Sequence, residues 1–206
     1  MTKRLVIAIV TAFALWFVMF CPGIAGFVNF WYAMTFSAIV LTALSFAMGK
    51  GLIVRSIHFS WKDICIGVGS AAVLWGVFWL GNYFSKLLFD FAEGQVQSVY
   101  AIKSGGNQWL IALALLLVIG PAETLFWQGF VQNAIADKIR FPWVVIFTAL
   151  IYSAVHLPSL NFMLTMAALV CGLFWCTLYY YNRNLLTIIV SHALWDVSVF
   201  ILFPIS

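Results

Sequence analysis

Four ionisable side chains stand where the surrounding sequence is almost wholly apolar: Glu123, His156, His192 and Asp196. Charge inside a hydrocarbon phase is costly, so each is a candidate for function unless a partner makes it structural. Glu123 lies in the run Gly120-Pro121-Ala122-Glu123-Thr124-Leu125-Phe126-Trp127-Gln128. On a helix, Pro121 removes a backbone donor and frees a carbonyl, which predicts a kink and a small polar space beside the acid. Taken alone, Glu123 is equally well a protonated acid bonded to a neighbouring helix. His156 closes Tyr152-Ser153-Ala154-Val155-His156, and four-residue spacing puts Tyr152 and His156 on one helix face. By itself His156 suits packing or a membrane interface. His192 and Asp196 are also four apart, in Ser191-His192-Ala193-Leu194-Trp195-Asp196. A carboxylate one turn from an imidazole sets its tautomer and raises its basicity, although a plain structural pair has the same spacing.

The four say more together. A glutamate, two histidines and an aspartate on three helices can converge on one point. A carboxylate beside imidazoles can activate water for attack on a carbonyl, and an imidazole can stabilise the oxyanion that forms. That chemistry suits amide hydrolysis within a membrane. The sequence has no G-x-S-x-G turn and no H-E-x-x-H. The paired aspartates of intramembrane aspartyl proteases are lacking too. Two histidines with Glu123 or Asp196 could bind zinc. These ligands are spread over separate helices, with no second histidine one turn from the first, so the expectation is no cofactor, with zinc as the second choice.

Composition says what must position these groups. Of the 206 residues, 65% are hydrophobic and 8% charged, against about half and about a quarter in soluble domains. The expected architecture is therefore all-α, a single polytopic transmembrane bundle over residues 1–206, whose partner is the lipid bilayer. Apolar runs mark about seven spans: Leu5–Phe20, Phe30–Met48, Ile64–Phe84, Trp109–Ile135, Trp143–Leu157, Phe162–Tyr181 and Leu185–Phe203. The first and fifth are short for a crossing. Trp31, Trp61, Trp109 and Trp143 sit near span ends, as interfacial aromatics do. With the N-terminus inside, Lys3, Arg4, Lys50, Arg55, Lys62, Lys138, Arg140 and Arg183 fall on the inner side, and Lys86 and Lys103 outside. This bias predicts a multi-pass cell-membrane protein with a cytoplasmic N-terminus and an extracytoplasmic C-terminus. The net charge of +4 is scattered singly between apolar runs and forms no nucleic-acid patch. Lys3 and Arg4 before an apolar run resemble a signal peptide, but Cys21-Pro22-Gly23-Ile24 is no cleavage site, so the run is read as a retained span. Cys21, Cys65, Cys171 and Cys176 form no C-x-x-C pair and read as packing residues. Between Ser85 and Gln108, the helical spacing of Phe84, Leu87, Leu88 and Phe91 allows an interfacial helix or a plain linker.

The order Glu…Tyr-x-x-x-His…His-x-x-x-Asp resembles the CAAX protease and bacteriocin-processing family, the glutamic-type intramembrane proteases that include the Ras-converting endopeptidase. The resemblance covers roughly residues 109–203. It implies that Glu123 activates water, that His156 holds that water or the substrate carbonyl, and that His192 and Asp196 bind the oxyanion and orient the site. The substrate would be a peptide or membrane protein. Two positions depart from the family's E-E-x-x-x-R motif: Thr124 replaces the second glutamate and Gln128 the arginine. One negative and one positive charge are lost together, which is electrically coherent if the family's pair is a structural ion pair. The same departures fit a catalytically inactive relative acting as a scaffold, regulator or bacteriocin immunity protein. A small proton-coupled transporter also uses buried Glu and His, but no inverted repeat is visible.

Overall fold

Five of the apolar runs follow a residue whose side chain can cap a helix. In the computed structural model, which describes residues 3–205, Asn29, Ser60, Asn107, Asn161 and Asn184 each accept hydrogen bonds from backbone N–H groups of the turn that follows. Capping of this kind answers the donors that a helix start leaves unpaired. The helices are α1 (Lys3–Phe20), α2 (Phe30–Val54), α3 (Trp61–Leu88), α4 (Ala92–Ala101), α5 (Gln108–Ala136), α6 (Trp143–Ala154), α7 (Phe162–Asn182) and α8 (Leu185–Leu202). Among the described residues there is no strand.

Six of these helices are long and apolar enough to cross a membrane: α1, α2, α3, α5, α7 and α8. The fold is thus the expected polytopic helical bundle, and the fifth of the seven apolar runs forms a shorter apolar helix. The fifth run makes a helix of only 12 residues, α6. It ends in the turn Leu157–Ser159, after which Leu160 takes a left-handed conformation (φ 52°) and the chain reverses into α7. Leu157 and Leu160 are exposed on this turn. One correction concerns residues 85–108. α3 runs on to Leu88, so Phe84, Leu87 and Leu88 belong to its last turns, and most of the remaining connection is α4. α4 is tied to the start of α7, because Asn161 Nδ2 donates to Gln95 O (2.9 Å) and Met163 N to Gln95 Oε1 (3.0 Å). Trp61, Trp109 and Trp143 are exposed at helix ends, but Trp31 is buried and donates its indole N–H to Ile102 O at 3.1 Å.

α5 is the central helix, flanked by α2 and α8; α8 also packs along α3, α6 pairs with α7, and α1 leans on α2 and on the 157–159 turn. Small residues allow the closest approaches. A Cβ at Gly120 would lie 3.0 Å from Ala193 Cα, so α5 and α8 meet nearly backbone to backbone there. Gly172 likewise admits Ala149 of α6, whose Cα would lie 3.0 Å from an added Cβ. Without a hydrophobic drive between helices in lipid, such contacts are how spans hold together. At one end of the bundle, Asp63 accepts from Asn182 Nδ2 (2.8 Å) and Thr187 Oγ1 (3.0 Å), and Asn184 brackets the backbone of His58.

Candidate active site

α5 is not a uniform α-helix. Leu115–Ile119 and Leu125–Gln132 are wide turns of the π type, and Gly120–Thr124 between them is ordinary α. The Gly120 N–H bonds Leu115 O, five residues back. Pro121 thus sits just after a wide turn, in a helix that continues on both sides of it. π segments of this sort gather at functional sites. Glu123 stands in the α segment beside the Gly120–Ala193 contact and is 5% exposed.

Its surroundings come from three other helices. The Tyr152 phenol of α6 is its polar neighbour, and Asp196 of α8 and Cys171 of α7 lie within electrostatic reach. Glu123 Oε2 is fully buried and has no hydrogen-bond partner. The Tyr152 ring is held edge-on by Trp127 at 5.2 Å and by His156 at 5.3 Å.

His192 is fixed on every side. Its Nδ1 lies 3.2 Å from Thr124 Oγ1, and its Nε2 lies 3.6 Å from Asp196 Oδ2. The second distance exceeds a hydrogen bond but places the carboxylate where a proton on Nε2 is favoured. Nδ1 then accepts from the Thr124 hydroxyl. The imidazole stacks on Trp175 with centroids 3.7 Å apart, and Trp175 Nε1 donates to Ser191 Oγ at 3.1 Å.

His156 is buried and turns the other way. Trp16 Nε1 of α1 donates to its Nε2 at 3.3 Å, and its Nδ1 is 2.9 Å from Tyr152 O. Gln128 donates to Cys176 Sγ at 3.6 Å, and Gln132 to Cys176 O at 2.8 Å. Thr124 and Gln128 therefore serve different neighbours, His192 and α7.

The structure brings Glu123, Thr124, Tyr152, His192 and Asp196 into one buried cluster. His156 joins it through Tyr152, and Gln128 lies farther along α5. Among the described residues, no three His, Cys, Asp or Glu side chains gather closely enough to hold a metal ion. The sequence reading missed Trp16, Cys171 and Trp175. Trp175 gave a usable signal, since an indole inside an apolar run needs an acceptor for its N–H. Trp16 has no polar residue near it in sequence to mark it out, and Cys171 reads as packing.

Residues 105–198 match the family model described as Rce1-like, type II CAAX prenyl endopeptidase Rce1-like. The resemblance carried by the three motifs is thereby shown, and Glu123, His156, His192 and Asp196 all fall within the matched segment. No curated protein matches the chain, and no solved structure does.

Proposed function

We propose, from the Rce1-like character of residues 105–198, that the chain is an intramembrane endopeptidase in which Glu123 activates the attacking water. One observation carries this reading: a buried carboxylate, a phenol and a histidine–aspartate pair from three helices meet where α5 and α8 touch. In the proposed step the Glu123 carboxylate takes a proton from water as the water oxygen bonds the scissile carbonyl carbon. We assign the oxyanion to His192 Nε2–H, which Asp196 Oδ2 faces from 3.6 Å without a hydrogen bond, and to the Tyr152 hydroxyl. Glu123 then gives its proton to the amide nitrogen as the C–N bond breaks. Asp196 and Thr124 orient His192 from its two nitrogens. No cofactor is invoked. The substrate is a membrane-associated peptide, prenylated or otherwise hydrophobic, and the N-terminus faces the cytoplasm.

The test is turnover of lipidated and transmembrane reporter peptides by the purified protein in detergent. Glu123→Gln should lower turnover by about 10²–10⁴-fold while the thermal unfolding curve stays cooperative. Full activity in that variant would reject Glu123 as the base. One further reading has an observation in its favour: Thr124 and Gln128 stand where the family carries charges. If wild type cleaves none of the reporters, and a cellular phenotype persists in Glu123→Gln and His192→Ala, the chain acts as an inactive scaffold.

A further inference from the structure

Neither ring nitrogen of His156 is left for a substrate. An indole N–H can only donate, so His156 Nε2 is the acceptor in its 3.3 Å bond with Trp16. The ring proton is then on Nδ1, and the Tyr152 carbonyl takes it at 2.9 Å. The donor that occupies Nε2 comes from α1, outside the matched segment 105–198. Trp16 is fully buried. Phe20, one turn on, covers the same imidazole with ring centroids 5.5 Å apart, and the Trp16 ring stands edge-on to it at 6.3 Å. α1 is held mainly by α2 and the 157–159 turn, and its far face, with Ile7, Val10 and Phe17, is exposed. It lies at the edge of the bundle, a position from which a helix can withdraw without unpacking the α5–α8 contact.

We propose that Trp16 is the gate residue of the site, holding His156 Nε2 shut until α1 shifts and releases that nitrogen to water or to a substrate carbonyl. The role of the released nitrogen rests on the peptidase reading above. The contact itself can be tested without it.

The chain has three histidines, and they differ in a way that serves the test. His58 is exposed, His156 is capped by Trp16, and His192 is enclosed by Thr124, Asp196 and Trp175. Diethyl pyrocarbonate ethoxyformylates an unprotonated, reachable ring nitrogen, and peptide mass spectrometry reads each site. In the full-length protein in detergent, His58 should react and the other two should not. Trp16→Phe keeps the aromatic volume and removes the N–H. It should raise the His156 rate several-fold, up to about tenfold, the factor set by one hydrogen bond's net contribution. Trp16→Ala should raise it further, with His192 still protected in both.

An unchanged His156 rate in both variants overturns the gate. So does a joint rise at His156 and His192, which would mean general loosening. Turnover separates the two proposals. Selective uncovering of His156 with no reporter cleaved in any variant keeps the gate and sinks the peptidase. Glu123-dependent turnover with His156 unaffected by Trp16 does the reverse. When both hold, Trp16→Phe should cleave faster than wild type at low substrate.

Discussion

His192 shows how much a single buried imidazole asks of its neighbours. Thr124 answers Nδ1, Asp196 faces Nε2 and Trp175 covers the ring. Thr124→Val keeps the shape and strands Nδ1, and should lower stability by about 1–3 kcal/mol, measured as thermal unfolding in detergent; no shift would mean that the hydroxyl is not the partner of Nδ1. Restoring the family's charges is a second test. Thr124→Glu adds an acid beside Glu123 and Asp196, and Gln128→Arg adds a cation against Cys176, so either alone should destabilise. The double variant should recover roughly 0.5–3 kcal/mol of coupling, because residues four apart on α5 can pair; strict additivity would show that the two positions never formed one unit. Most of the cluster was legible because Glu123, His192 and Asp196 stand out chemically from apolar runs. The role of Thr124 was not legible, since a threonine in a helix announces nothing until the facing helix is known. Nor was the role of Trp16, whose partner lies 140 residues away.

At the scale of helices, periodicity and hydropathy located every span to within a few residues at most starts, and caps at Asn29, Ser60, Asn107, Asn161 and Asn184 explain those starts. Ends were harder. α2 and α3 outlast their apolar runs because tertiary contacts hold the last turns: Tyr179 Oη donates to Ser56 Oγ at 2.9 Å just past α2, and Ser85 is buried near the end of α3. The wide turns of α5 were invisible, since Leu115–Ile119 and Leu125–Gln132 have ordinary helical compositions. Gly120 is the residue on which helix placement depends most. In Gly120→Val the new Cβ would sit 3.0 Å from Ala193 Cα and 3.1 Å from its backbone nitrogen, atoms that cannot rotate aside. Overpacking of this kind costs about 1–3 kcal/mol, and by parting α5 from α8 it should also reduce turnover. Gly76→Ala on α3 meets nothing within 4 Å and should change neither stability nor activity. Equal loss in both variants would mean that glycine content matters, and not the α5–α8 approach.

For the molecule as a whole, the distribution of Lys and Arg gives an expected orientation that reporter fusions can check. A fusion after Phe203 should read as extracytoplasmic and one near Arg55 as cytoplasmic; the same side for both would refute the arrangement. The short α6 complicates any simple picture of parallel spans crossing a slab. At 1.5 Å per residue its 12 residues cover about 18 Å, against a hydrocarbon core of about 30 Å. Its closing turn, with Leu157 and Leu160 exposed, begins about 21 Å along the chain from Trp143, and so lies up to about 9 Å inside the bilayer if Trp143 marks the opposite surface. Lipid above that turn must compress, tilt or give way to headgroups and water, all at a modest elastic cost for each ångström of mismatch. His156 begins this turn, so the thickness of the surrounding membrane sets how far water must travel to reach it. The protein becomes, in effect, a gauge of its host bilayer: vesicles of short-chain phospholipid should favour the working state, and long-chain ones should suppress it with no change to a single side chain.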